Sequence, residues 1–160
     1  MKNIKLKIKN SGFVILFAVT LAAILLSIAL GVSNVALKEI KFGTSAKDTN
    51  EAFFAADTGA ECALVNDKST GSAFTGSGTA INCNSINIPV NLVETSLWKF
   101  IVPALNNGGQ GCAIVTVDKR PLTPPSTFTT IIISKGHNNN NQGDCTSSSN
   151  TVERQLEVSY

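Results

Sequence analysis

Residues 12–37 read GFVILFAVTLAAILLSIALGVSNVAL, 26 positions without a charge. As an α-helix rising 1.5 Å per residue, this stretch is about 39 Å long, more than the about 30 Å of a bilayer's hydrocarbon core. The flank before it holds Lys2, Lys5, Lys7 and Lys9 and no acidic residue. A short basic flank stays on the cytoplasmic side, so a helix over 13–37 is expected to cross the cytoplasmic membrane once and to leave the remainder outside. Of the 13 basic and 11 acidic side chains, four basic ones fall in residues 1–12, which leaves 9 against 11. The outer part is therefore mildly acidic, without the basic footprint of a nucleic-acid-binding domain.

Beyond Leu37 the pattern turns one-sided. Ile40, Phe53, Ala56, Ala60 and Leu64 recur at helical spacing, with Lys38, Glu39, Lys41, Lys47, Asp48, Glu51 and Asp57 between them. An amphipathic continuation over 38–66 follows, making one helix from about Phe13 to Asn66, with Gly43-Thr44-Ser45 as the expected place for a break. Residues 69–85, STGSAFTGSGTAINCNS, have turn composition and no periodicity, which predicts a surface loop. Short apolar or alternating runs at 86–93, 97–102, 112–118, 127–134 and 152–160 predict strands, with Pro89 placing the first at an edge. In the last run Val152, Leu156, Val158 and Tyr160 share one side, and Glu153, Gln155, Glu157 and Ser159 the other. RPLTPPS (120–126) and HNNNNQGDCTSSSN (137–150) read as connections. The expected fold class is α+β: a long N-terminal helix, transmembrane in its first half, packed on a small antiparallel sheet within a β-rich domain over 67–160.

All four cysteines, Cys62, Cys83, Cys112 and Cys145, lie on the outer side. An even count there predicts two disulfides, whereas separations of 21, 29 and 33 residues lack the close pairs that organise zinc sites, so no metal is expected. If 112–118 and 127–134 form a hairpin, Cys112 lies near the loop holding Cys145. That leaves Cys62, near the helix end, for Cys83.

The junction Lys9-Asn10-Ser11-Gly12-Phe13 resembles a class III prepilin signal, the mark of type IV pilins and type II secretion pseudopilins. The resemblance implies cleavage between Gly12 and Phe13 by a prepilin peptidase, after a basic leader spanning 1–12, and N-methylation of Phe13. The segment Asn50-Glu51-Ala52-Phe53-Phe54-Ala55-Ala56-Asp57-Thr58-Gly59-Ala60-Glu61 is similar to the alanine-rich helix of PilX-like minor pilins and related tip pseudopilins. It implies other pilin or pseudopilin subunits, the inner-membrane assembly platform and membrane lipid as partners. Major pilins of the family carry glutamate as the fifth residue of the mature chain, and here that position is Phe17. The resemblance thus points to a minor, tip-located structural subunit.

Two other readings of the apolar run stand beside this one. It is also read as a secretory signal cut after Ser27-Ile28-Ala29, or as an uncleaved anchor for an unrelated adhesin or ligand-binding domain. His137, the single histidine, reads as a solvated turn residue beside its asparagines, and Trp98 and Tyr160 as packing residues. No convergent acid, base and nucleophile pattern is present, so neither enzymatic activity nor a cofactor is expected.

Overall fold

The structure is a computed structural model that describes residues 12–76, 80–106, 108–120, 129–139 and 144–160. The leader, most of the proline-rich connection and part of the asparagine-rich loop lie outside these residues. The chain divides into two compact units at Thr44/Ser45. One helix, α1 (Gly12–Lys68), runs through residues of both. Seven strands follow it: β1 (Ala80–Cys83), β2 (Ile86–Pro89), β3 (Asn91–Glu94), β4 (Leu97–Leu105), β5 (Gly111–Asp118), β6 (Ile131–His137) and β7 (Glu153–Ser159). The expected α+β architecture, a long N-terminal helix packed on antiparallel sheet, is the one observed.

In the first unit, every large apolar side chain from Phe13 to Phe42 is exposed. The helix is long and apolar enough to cross a membrane, as a single-pass anchor requires. Gly43 does not break it. Thr44 instead returns its hydroxyl to the Lys41 carbonyl at 2.9 Å, which satisfies the side chain without leaving the helix.

In the second unit, β3-β4-β5-β6-β7 form an antiparallel meander, and β1 and β2 form a separate hairpin. The β1–β2 turn is Asn84-Ser85, with φ of 50° and 64°, the left-handed pair that a two-residue hairpin of matching twist demands. The core lies between α1 and the inner sheet face: Trp98, Phe100 and Val102 from β4, Ala113, Val115 and Val117 from β5, and Ile132 from β6. Alternation explains the choice, because their neighbours Lys99, Ile101, Thr116 and Ile133 turn to the outer face.

Three expectations need correction. The segment 69–85 is not simply a surface loop. Phe74 is buried, its ring 6.0 Å from those of Phe100 and Trp98, and Ile81 and Cys83 of β1 are buried with it. Small polar residues surround these apolar anchors and mask them in a composition average. The run 86–93 is two strands rather than one, because Val90 leaves the β1 hairpin before β3 joins β4. The run 127–134 becomes β6 at Ile131–His137, so its pairing with β5 extends to His137.

The helix face is the expected one in part: Ala56 and Ala60 are buried and Leu64 packs against the core, as the spacing predicts. Phe53 and Ile40 are exposed, and the side that packs on the sheet is Ala52, Ala55, Ala56, Ala60 and Ala63. The cause is the approach distance. A Cβ at Gly59 would meet Ala113 Cβ at 2.7 Å and Val115 Cγ2 at 2.9 Å, and a Cβ at Gly136 would fall on the backbone of Ala52 and Ala56. Only small residues let helix and sheet backbones come this close. Ser134, beside Gly59, is fully buried, and its hydroxyl has no hydrogen-bond partner among the described residues.

Candidate functional site

The residues singled out from sequence fall in three places. Gly12 and Phe13 begin α1, and Phe13 is 81% exposed. Phe17 lies one turn further on, exposed on a helix that offers no charged side chain around it; the nearby Thr20 hydroxyl donates to the Phe17 carbonyl at 2.9 Å. No carboxylate occurs anywhere from Gly12 to Lys38, so this surface has nothing with which to neutralise a positive charge in an apolar medium.

The cysteines are brought together in pairs. Cys62 on α1 joins Cys83 at the end of β1, with Cα atoms 5.7 Å apart, and ties the helix to the hairpin. Cys112 on β5 joins Cys145 in the loop after β6, with Cα atoms 5.8 Å apart. These are the partners that the expected hairpin suggested, and the β5–β6 register explains the second: Cys112 stands opposite His137, which directly precedes that loop.

His137 is not a solvated turn residue. It is the last residue of β6, 2% exposed, in a cross-strand row running Cys112, His137, Glu153 over β5, β6 and β7. Its Nε2 lies 3.0 Å from Glu153 Oε2, and its Nδ1 lies 3.7 Å from Cys145 Sγ. Burial works against the charge of Glu153, but hydrogen bonds from His137 and Lys135 outweigh it and hold the carboxyl below the usual glutamate range. The row borders an outer-face groove of about 560 Å³ lined in part by Lys99, Thr116 and Asp144. Continuing the alternation of 127–134 by three residues would have placed His137 on the sheet. The asparagine run that follows hid it.

A second polar cluster secures the end of α1. Asp67, its side chain 6% exposed, pairs with Lys119, accepts a hydrogen bond of 2.6 Å from Ser72 Oγ, and accepts another of 2.6 Å from the Tyr160 hydroxyl. Burial opposes the Asp67 charge, yet these bonds and the Lys119 charge hold the carboxyl below its ordinary range. Burial and the neighbouring Asp67 carboxylate push the Tyr160 hydroxyl upward. Lys68 Nζ stands 3.6 Å from the centre of the Tyr160 ring, a cation–π contact on the same residue. Trp98 is thus a packing residue of the core, whereas Tyr160 is exposed and is held at the sheet end by Asp67 and Lys68.

Comparison of the chain with protein-family models, with curated proteins and with solved structures finds no match in any of the three.

Proposed function

We propose that the protein is a structural minor subunit of a type IV pilus or type II secretion pseudopilus, placed at or near the filament tip. The observation that carries this reading is the division of labour along α1. Residues 13–42 keep large apolar side chains exposed, while residues 52–63 bury alanines on an antiparallel sheet secured by two disulfides. That is an anchor able to pass from lipid into a bundle of like helices, attached to a domain that folds around its own helix. The reading also rests on the resemblance of Lys9–Phe13 to a prepilin signal.

Placement follows from Phe17. Burying an unpaired terminal ammonium costs several kcal/mol, and a subunit added beneath another must supply the carboxylate that offsets it. Phe17 supplies none. A tip subunit has no neighbour above and needs none, while its own Phe13 amine meets a glutamate of the subunit below. Membrane lipid, the prepilin peptidase, the assembly platform and other pilins are its partners in this scheme.

Co-expression with a prepilin peptidase tests the first step: intact mass should show a chain starting at Phe13, whereas one starting at Leu30 would establish a secretory signal. Immunogold labelling of sheared filaments tests the second, since uniform decoration along the shaft would sink the tip assignment.

A further inference from the structure

We propose that Cys112, Cys145 and His137 form a site with two states: a disulfide when oxidised, and a binding site for a thiophilic cation such as Zn2+ when reduced. The inference is independent of the filament reading. The three potential donor atoms lie within 4.8 Å of one another, and all three residues are buried. Tetrahedral zinc with Zn–S near 2.3 Å and Zn–N near 2.0 Å places sulfur and nitrogen ligands about 3.5 Å apart, and two sulfurs about 3.8 Å apart. His137 Nδ1 already stands 3.7 Å from Cys145 Sγ. Once the disulfide opens, two side-chain adjustments remain: the sulfurs must separate, and Cys112 Sγ must approach the imidazole from within 4.8 Å to about 3.5 Å, while His137 stays fixed in the β6 ladder.

The far side of the imidazole is arranged as a metal-bound histidine requires. With the Nε2 proton donated to Glu153 Oε2 at 3.0 Å, Nδ1 carries its lone pair toward the sulfurs. A carboxylate on the other nitrogen fixes this tautomer and raises ligand basicity. By contrast, Cys62 and Cys83 have no histidine beside them. The site supplies three ligands and leaves the fourth position to water.

The steps balance. A dithiol reductant gives two electrons and two protons to the Cys112–Cys145 bond and leaves as its own disulfide. The two thiols then release two protons as Zn2+ binds both thiolates and neutral His137. A disulfide oxidant reverses the sequence: it takes the two electrons of the bound thiolates and two protons from solvent to become a dithiol, while the Cys112–Cys145 bond re-forms and the ion is released.

The test uses the full chain in detergent micelles with Cys62→Ser and Cys83→Ser, which removes the other thiols. After anaerobic reduction it is titrated with Zn2+ against a chromophoric chelator, and with Co2+ to read the thiolate-to-cobalt absorption. The expected result is one ion per chain with a thiolate band and no binding by the oxidised form. His137→Ala should weaken binding at least about 100-fold, and Glu153→Gln about 10-fold, the lower end of the usual second-sphere effect. Absence of a thiolate band, or equal affinity in His137→Ala, would overturn the proposal. If the reduced chain is unfolded without metal, Zn2+ should restore the near-ultraviolet signal of Trp98, and failure to restore it counts against the site equally.

Discussion

The two parts of α1 handle apolar side chains in opposite ways. Residues 13–42 carry phenylalanine, leucine, isoleucine and valine, and all of them are exposed, whereas residues 52–63 bury alanines and leave Phe53 and Phe54 outside. Hydrophobicity therefore does not tell which residues of this helix pack on its own domain. Size does, because the closest approach to the sheet, at Gly59 and Gly136, leaves no room for a branched side chain. The lesson is that the strongest apolar run of α1 stays exposed, while its alanines supply the helix side of the core.

The largest effect expected from this contrast is at Gly136. Gly136→Val places side-chain atoms on the backbone of Ala52 and Ala56, which cannot move aside as a flexible side chain does. The domain should lose on the order of 4 kcal/mol or fail to fold, the upper range for overpacking. Unfolding followed by Trp98, the single tryptophan and a core residue, measures it. A loss below about 1 kcal/mol would mean that helix and sheet separate easily and that size does not select the packed face.

Next comes the tether. Replacing Cys62 and Cys83 with serine opens a loop of 21 residues and should cost about 3 kcal/mol by chain entropy. The loss should appear in Trp98 fluorescence, since Phe74, which packs against Trp98, lies within that loop. An unchanged midpoint would show that small-residue packing alone holds the helix end.

A smaller effect, on the order of 1–3 kcal/mol, is expected from Asp67→Asn, which leaves Lys119 without its anionic partner. The pH dependence has a definite sign. Asp67 is held below its unfolded value, so its contribution is present above about pH 4 and is lost as pH falls through the folded value. Tyr160 is raised, so its contribution is present below about pH 10 and is lost as pH rises beyond that. In a stability-versus-pH series Asp67→Asn should remove the acid limb and shrink the alkaline one, which the burial of Tyr160 partly preserves; an acid limb that persists belongs to another group.

The smallest effect sharpens the comparison from the other side. A Cβ on Gly43 meets nothing within 4 Å, so Gly43→Ala should gain up to about 1 kcal/mol of helix stability. Circular dichroism at 222 nm during thermal unfolding reads the gain, and a loss there would reveal a packing partner for this part of the helix.

Much of this architecture was legible from residue order. The uncharged run to Leu37, the alternation in 97–102, 112–118 and 152–160, and the nearness of Cys112 to Cys145 all follow from local periodicity or short separations. Phe74 and Ile81 were not legible, because single anchors in a Gly- and Ser-rich stretch leave no period. His137 was hidden by the asparagines after it, although three more residues of the same alternation reach it. On α1, Ala56, Ala60 and Leu64 were placed correctly, whereas Phe53 was not, because periodicity reports which positions share a side, not how near the partner comes.

Sequence by itself determined the apolar span, the α+β order of elements and the location of every cysteine, since length, charge and alternation act within one segment. Tertiary structure alone decided that alanines rather than phenylalanines face the sheet, that Asp67 meets Lys119 and Tyr160, and that His137 stands between a disulfide and Glu153. Those outcomes depend on the backbone separation at Gly59 and Gly136 and on strand register, which are properties of two segments together and are written in neither alone.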